Sequence, residues 1–99
     1  MNITKVKEGS KLTVTLEGRL DTTTSPQLEE EIKDEFTDIK ELVFNIKDLE
    51  YISSAGLRVL LFAQKKMNTL GSMVIKGANE EIMEIFEVTG FVDILTIES

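Results

Sequence analysis

The sequence predicts one α/β domain, with a mixed, mostly parallel central sheet of about four or five strands and helices packed mainly on one side. Three observations carry that prediction. Apolar runs of strand length alternate with segments whose apolar residues return every three or four positions, so strands and helices take turns along the chain. The 99 residues, 41% of them hydrophobic, suit one modest core. No linker divides them, because Pro26 is the only proline and the glycines are scattered singly; residues 1–99 read as one domain.

Each element has its own signal. Ile3 and Val6 fit a first strand, with Glu8-Gly9-Ser10 as the turn after it. Lys11-Leu12-Thr13-Val14-Thr15-Leu16-Glu17 alternates polar and apolar side chains, as a half-buried strand does. A polar loop, Gly18 to Thr24, follows. Ser25 is placed to cap a helix with Pro26 at its first position, and Glu29 and Glu30 fall near its positive end. Leu28, Ile32 and Phe36 give that helix one buried stripe.

Leu42 to Ile46 is continuously apolar but for Asn45, the character of a central strand. Tyr51-Ile52-Ser53-Ser54-Ala55-Gly56-Leu57-Arg58 then turns that strand into a second helix, expected from Ala55 to about Leu70 and stopped by Gly71. Val59, Leu60, Ala63, Met67 and Leu70 form its core stripe; Leu57, Leu61 and Phe62 lie partly off it. Met73-Val74-Ile75 is a short strand. Asn79 caps a third helix with Ile82, Met83, Ile85 and Phe86 inward and Thr89-Gly90 at its end. Phe91 to Ile97 supplies a last strand or strand-like tail, for an order of β-β-α-β-α-β-α-β.

Composition removes whole classes of chemistry. The chain has no Cys and no His, which excludes disulfide frameworks, thiol nucleophiles, Ser-His triads and the usual zinc ligand sets. No acidic run has the spacing of a calcium loop, and no glycine-rich phosphate loop is present. The formal charge of −7 argues against nucleic acid and anionic membrane as partners. Met1-Asn2-Ile3-Thr4-Lys5 lacks an apolar signal core and no apolar run reaches membrane-spanning length, so a cytoplasmic location is expected.

The segment Asp48-Leu49-Glu50-Tyr51-Ile52-Ser53-Ser54-Ala55-Gly56-Leu57 resembles the signature of STAS domains, specifically the stand-alone anti-sigma-factor antagonists. Gly18-Arg19-Leu20-Asp21-Thr22-Thr23-Thr24-Ser25 resembles the family's first conserved loop and helix start, and Glu87-Val88-Thr89-Gly90-Phe91 its third-helix ending. The resemblance spans essentially the whole chain in the right order. It implies a binding module and not an enzyme, working without a cofactor, that binds a serine-kinase anti-sigma factor and thereby frees a sigma factor. It also implies that the kinase phosphorylates one serine at the start of the second helix, releasing the complex, and that a PP2C-type serine phosphatase reverses this. Aligning Gly56-Leu57 with the family's Gly-Leu puts that serine at Ser54. Ser53 stands where many members carry an aspartate, Ala55 where they carry a small residue or hydroxyl, and Asn45 replaces an aspartate often found in the preceding strand.

Each candidate also has a plain structural role. Ser54 is placed to cap the second helix, and Ser53 to be a turn hydroxyl or a competing acceptor. Gly56 eases packing at the helix start and gives a kinase or partner access. Arg58 is a solvated arginine or a partner for phosphate. Asp21 is a turn aspartate or a rim contact, and Thr22 and Thr23 are similar. Leu57 is the expected exposed apolar anchor for a partner, with Leu61 beside it. A monomer is the default for so small a domain. Two other readings remain: an adaptor subunit of a signalling or transport assembly in which Ser54 only caps, and, ranked last, a nucleotide-binding or hydrolytic protein using Asp21, Asp48 and Ser54.

Overall fold

Five strands and three helices account for most of residues 1–98, the part of the chain that the computed structural model describes. The first strand, β1 (Asn2–Glu8), turns at Gly9-Ser10 and runs antiparallel to β2 (Lys11–Leu20), with Glu8 opposite Lys11. Gly9 takes φ +62°, the left-handed conformation that a two-residue hairpin turn needs. Then β3 (Glu41–Ile52), β4 (Ser72–Lys76) and β5 (Ile97–Glu98) add in parallel, and the strands lie in chain order across one sheet.

Parallel neighbours must be joined by crossovers, and the three helices supply them: α1 (Ser25–Ile32), α2 (Ser54–Leu70) and α3 (Glu80–Thr89). Strand order that advances steadily, with crossovers of one hand, puts all three on the same face. The core lies there. Leu12, Val14, Leu16, Leu42, Phe44, Ile46, Met73 and Ile75 point into it from the sheet, and Leu28, Ile32, Leu60, Ala63, Met67, Ile82 and Phe86 from the helices. Thr13, Thr15 and Val74 face the other way, toward solvent.

The structure corrects several boundaries. α1 ends at Ile32, so Phe36 is buried from the following loop, where its ring meets Phe62 edge-on at 5.8 Å. Glu29 and Glu30 lie past the first turn of α1. Its cap position is Thr24, and Ser25 is the first helical residue, its hydroxyl donating to the Asp21 carbonyl. β3 runs six residues beyond Ile46, with register shifts against β2 between Thr15 and Glu17 and between Gly18 and Arg19. The tail forms a short 3₁₀ turn at Phe91–Asp93 before two residues pair as β5. In α3, Ile82 and Phe86 are buried while Met83 and Ile85 are only half-buried.

Candidate functional site

Two connections meet at the carboxyl ends of the parallel strands β2 and β3, the edge of an open α/β sheet where ligand and partner sites gather. Leu20 and Ile52 are register partners, and one residue later the Ser53 amide donates to the Leu20 carbonyl at 2.8 Å. That bond ties the start of α2 to the loop leading into α1. Asp21, Thr22, Thr23, Ser53 and Ser54 therefore share one corner of the molecule.

Asp21 organises the first connection. Its Oδ1 accepts from the Thr23 amide at 3.0 Å, the Thr23 hydroxyl at 2.7 Å and the Thr24 amide at 3.1 Å. Bonds to the charged form favour it, and the Thr23 hydroxyl, followed by the Thr23 and Thr24 amides, lowers the carboxyl from 3.8 to about 2. The Thr24 hydroxyl accepts from the Asp21 amide and donates to the Arg19 carbonyl. Asp21 thus fills its turn role; Thr22 and Thr23 are exposed on the loop it shapes.

The second connection divides its two serines. Ser53 is the N-cap of α2, in extended conformation, and its hydroxyl accepts from the Gly56 amide at 3.4 Å. The expectation that Ser54 caps the helix is therefore corrected: capping needs the non-helical residue, and the helix begins one residue earlier than the sequence suggested. Ser54 is the first helical residue, exposed, and its hydroxyl makes no hydrogen bond among the described residues. It stands by the positive end of a 17-residue helix.

Gly56 is buried and has a packing duty. A Cβ there would lie 2.7 Å from Leu20 Cγ and 2.9 Å from Ile52 Cγ1. The exposed-anchor expectation for Leu57 is also corrected. Leu57 is only 5% exposed, because one step from Gly56 it turns into the core beneath α2. Leu61 is half-buried and Arg58 is exposed, with no ion pair among the described residues. Ser54 and Arg58 stand four residues apart on the outer face of α2.

Beside them, a groove of about 300 Å3 runs between α1 and α2. Thr22, Ser25, Pro26, Glu29, Ala55, Arg58, Val59 and Phe62 line it. Sequence reasoning missed Pro26, Glu29 and Val59 as site residues. The first two were absorbed by helix signals and Val59 by the core stripe, and only the packing of α1 on α2 puts them together. No group of three or more acidic residues is placed to hold a metal among the described residues, and no helix is long and apolar enough to cross a membrane.

The comparisons with known proteins agree along the full length. The family model described as "STAS domain" matches residues 2–99. The BtrV protein of Bordetella bronchiseptica, named as a candidate anti-sigma factor antagonist, is 31% identical over 98% of this chain and 85% of its own length. The anti-sigma-B factor antagonist of Bacillus subtilis is 25% identical over 100% of this chain and 92% of its own. Among solved structures, the anti-sigma factor antagonist SpoIIAA of Bacillus in its unphosphorylated form superposes with a TM-score of 0.85 at 14% identity, covering 99% of this chain and 89% of that one; SpoIIAA is also described in a phosphorylated form.

Proposed function

This chain belongs to the STAS domain family, and from that premise we propose that it is an anti-sigma-factor antagonist, a binding module that controls transcription by partner switching. In this reading it binds a serine-kinase anti-sigma factor through the corner formed by the Asp21–Thr23 loop and the start of α2. Phosphorylation of Ser54 by that kinase releases it, and a PP2C-type serine phosphatase resets it. The observation that carries the proposal is the division of labour between the serines. Ser53 holds the helix end, while the Ser54 hydroxyl is exposed beside a groove, with no hydrogen bond among the described residues.

A phosphate at Ser54 adds about −1.5 to −2 charges at neutral pH. It would sit at a helix N-terminus, where free amides and the dipole favour an anion, with Arg58 one turn away. The domain therefore stays folded when modified. A partner surface that fits the neutral hydroxyl instead meets a buried, like-charged or desolvated phosphate, and the complex dissociates.

The test combines intact-mass analysis after incubation with an anti-sigma kinase and ATP with binding of that kinase to the wild type, Ser54→Ala and Ser54→Asp. One added phosphate that disappears in Ser54→Ala, with binding lost in Ser54→Asp, supports the switch. Phosphate that persists in Ser54→Ala and disappears in Ser53→Ala moves the switch to the capping serine. Tight binding of an anti-sigma factor to the wild type and Ser54→Asp alike refutes the release mechanism and leaves an adaptor.

A further inference from the structure

The third helix carries a stripe that the fold leaves uncovered. Glu81, Glu84, Ile85 and Val88 stand at positions i, i+3, i+4 and i+7 of α3 and, with Tyr51 of β3, line a shallow groove of about 360 Å3. Val88 is 81% exposed and Tyr51 36%. With the half-buried Ile85 they form one contiguous apolar patch along the groove. The Tyr51 ring is held from its other neighbour in the sheet: the Arg19 guanidinium lies over it, 4.6 Å from the centroid.

Charge identifies the occupant. α3 carries Glu80, Glu81, Glu84 and Glu87 and no basic residue, and none of the four makes an ion pair among the described residues. Elsewhere on the surface some carboxylates do have lysine partners, as Glu31 has Lys5, Asp38 has Lys7 and Glu30 has Lys33. The groove thus sets Tyr51, Ile85 and Val88 beside the unpaired carboxylates of Glu81 and Glu84, with the Arg19 guanidinium over the Tyr51 ring. We propose that it docks a basic amphipathic segment of a partner protein. One aliphatic side chain of that segment seats against Tyr51, Ile85 and Val88, and its lysines or arginines meet Glu81 and Glu84. A second copy of this chain does not fit, since each α3 would face the other's glutamates in a protein of formal charge −7. An anionic membrane is repelled for the same reason.

This surface shares no lining residue with the groove beside Ser54. A partner can therefore occupy it without touching the groove beside Ser54. A regulator released at one corner could stay tethered, or pass to another protein, through the other.

The probe is a synthetic amphipathic peptide with leucines on one face and lysines on the other, titrated into the isotopically labelled chain with amide shifts followed by NMR. A scrambled peptide of the same composition is the reference. The expected result is that shifts concentrate on Tyr51 and residues 81–89. Val88→Ser should weaken binding about fivefold to tenfold, as loss of one buried aliphatic contact does. The double variant Glu81→Gln, Glu84→Gln should weaken it further and flatten its salt dependence. Val6→Ser, an equally conservative change at an exposed valine on β1, should leave affinity within about twofold, as a site outside the groove does. Shifts spread over the whole acidic surface, a scrambled peptide that binds as tightly, or a Val88→Ser variant that binds like the wild type would each overturn the proposal. So would a concentration-dependent dimer that Val88→Ser abolishes, because the occupant would then be a second copy.

Discussion

Replacing Gly56 by alanine adds a single methyl group where the start of α2 rests on the sheet. Two effects oppose each other. Alanine is the better helix former by about 1 kcal/mol in a helix interior, and by less in the first turn where Gly56 sits. Against that, the new Cβ falls 2.7 Å from Leu20 Cγ, 2.9 Å from Leu20 Cδ2 and 2.9 Å from Ile52 Cγ1. Those residues are register partners on adjacent strands, 0% and 1% exposed, so neither can swing into solvent to make room. Overpacking of this kind costs about 1–3 kcal/mol. The net expectation is a loss of about 1–2 kcal/mol, read by urea unfolding, and a fall in Tm of roughly 5–15 °C for a domain of this size. A coupling test sharpens it. Leu20→Ala should cost about 2–5 kcal/mol in the wild type and visibly less with Ala at position 56, because the added methyl occupies part of the vacated space. A Gly56→Ala variant as stable as the wild type, with additive Leu20→Ala, would refute the close contact between α2 and the strand ends.

Other consequences follow from the same geometry. Ser53→Ala should destabilise the domain by about 0.5–1 kcal/mol, the low end for a cap because its bond to Gly56 is long at 3.4 Å, whereas Ser54→Ala should stay within about 0.5 kcal/mol; denaturant titration separates them. Asp21 has a folded pKa of about 2 against an ordinary 3.8. A value lowered by folding stabilises above the unfolded pKa, so this contribution is complete above pH 3.8 and disappears as pH falls toward about 2. Asp21→Asn should therefore flatten that stretch of the acid-unfolding curve, and an unchanged slope would show that the threonine bonds do not persist in solution. Gly71→Ala should prevent stable folding: its Cβ would lie 1.9 Å from the Lys40 carbonyl oxygen, which already accepts from the Ser72 amide, and backbone cannot yield as a side-chain tip can. Circular dichroism and solubility give that answer directly.

The order of elements was legible because strand alternation and helix periodicity are local signals. Leu12, Val14 and Leu16 against Thr13 and Thr15 define one face of β2 without reference to anything distant. Caps were less legible. Asn79 was identifiable because a single capping residue precedes an apolar run, and its side chain indeed accepts from the Ile82 amide. Where two hydroxyls adjoin, as Thr24-Ser25 and Ser53-Ser54 do, sequence offers no means to choose, and in both pairs the helix begins at the second. The burial of Leu57 was hidden for a related reason. Its side depends on how closely α2 lies on β2 and β3, which Gly56 sets through Leu20 and Ile52, far apart in the chain. The two grooves were invisible because each is lined by elements that only the tertiary fold makes neighbours.

The shift of one residue at the start of α2 changes what the paired hydroxyls can do. A serine that caps the helix has its oxygen engaged by the Gly56 amide, so a kinase must loosen the helix end to reach it. With Ser53 as the cap, one amide of the helix end is satisfied before any chemistry occurs, and Ser54 offers a hydroxyl with no hydrogen bond among the described residues. The corner is cross-linked by hydrogen bonds: Asp21 ties one loop together, and the bond from Ser53 to Leu20 ties that loop to the helix. In the proposed switch, a phosphate on Ser54 would add charge while leaving these bonds in place, and discrimination between the two states would then come from the partner's surface, through repulsion and desolvation.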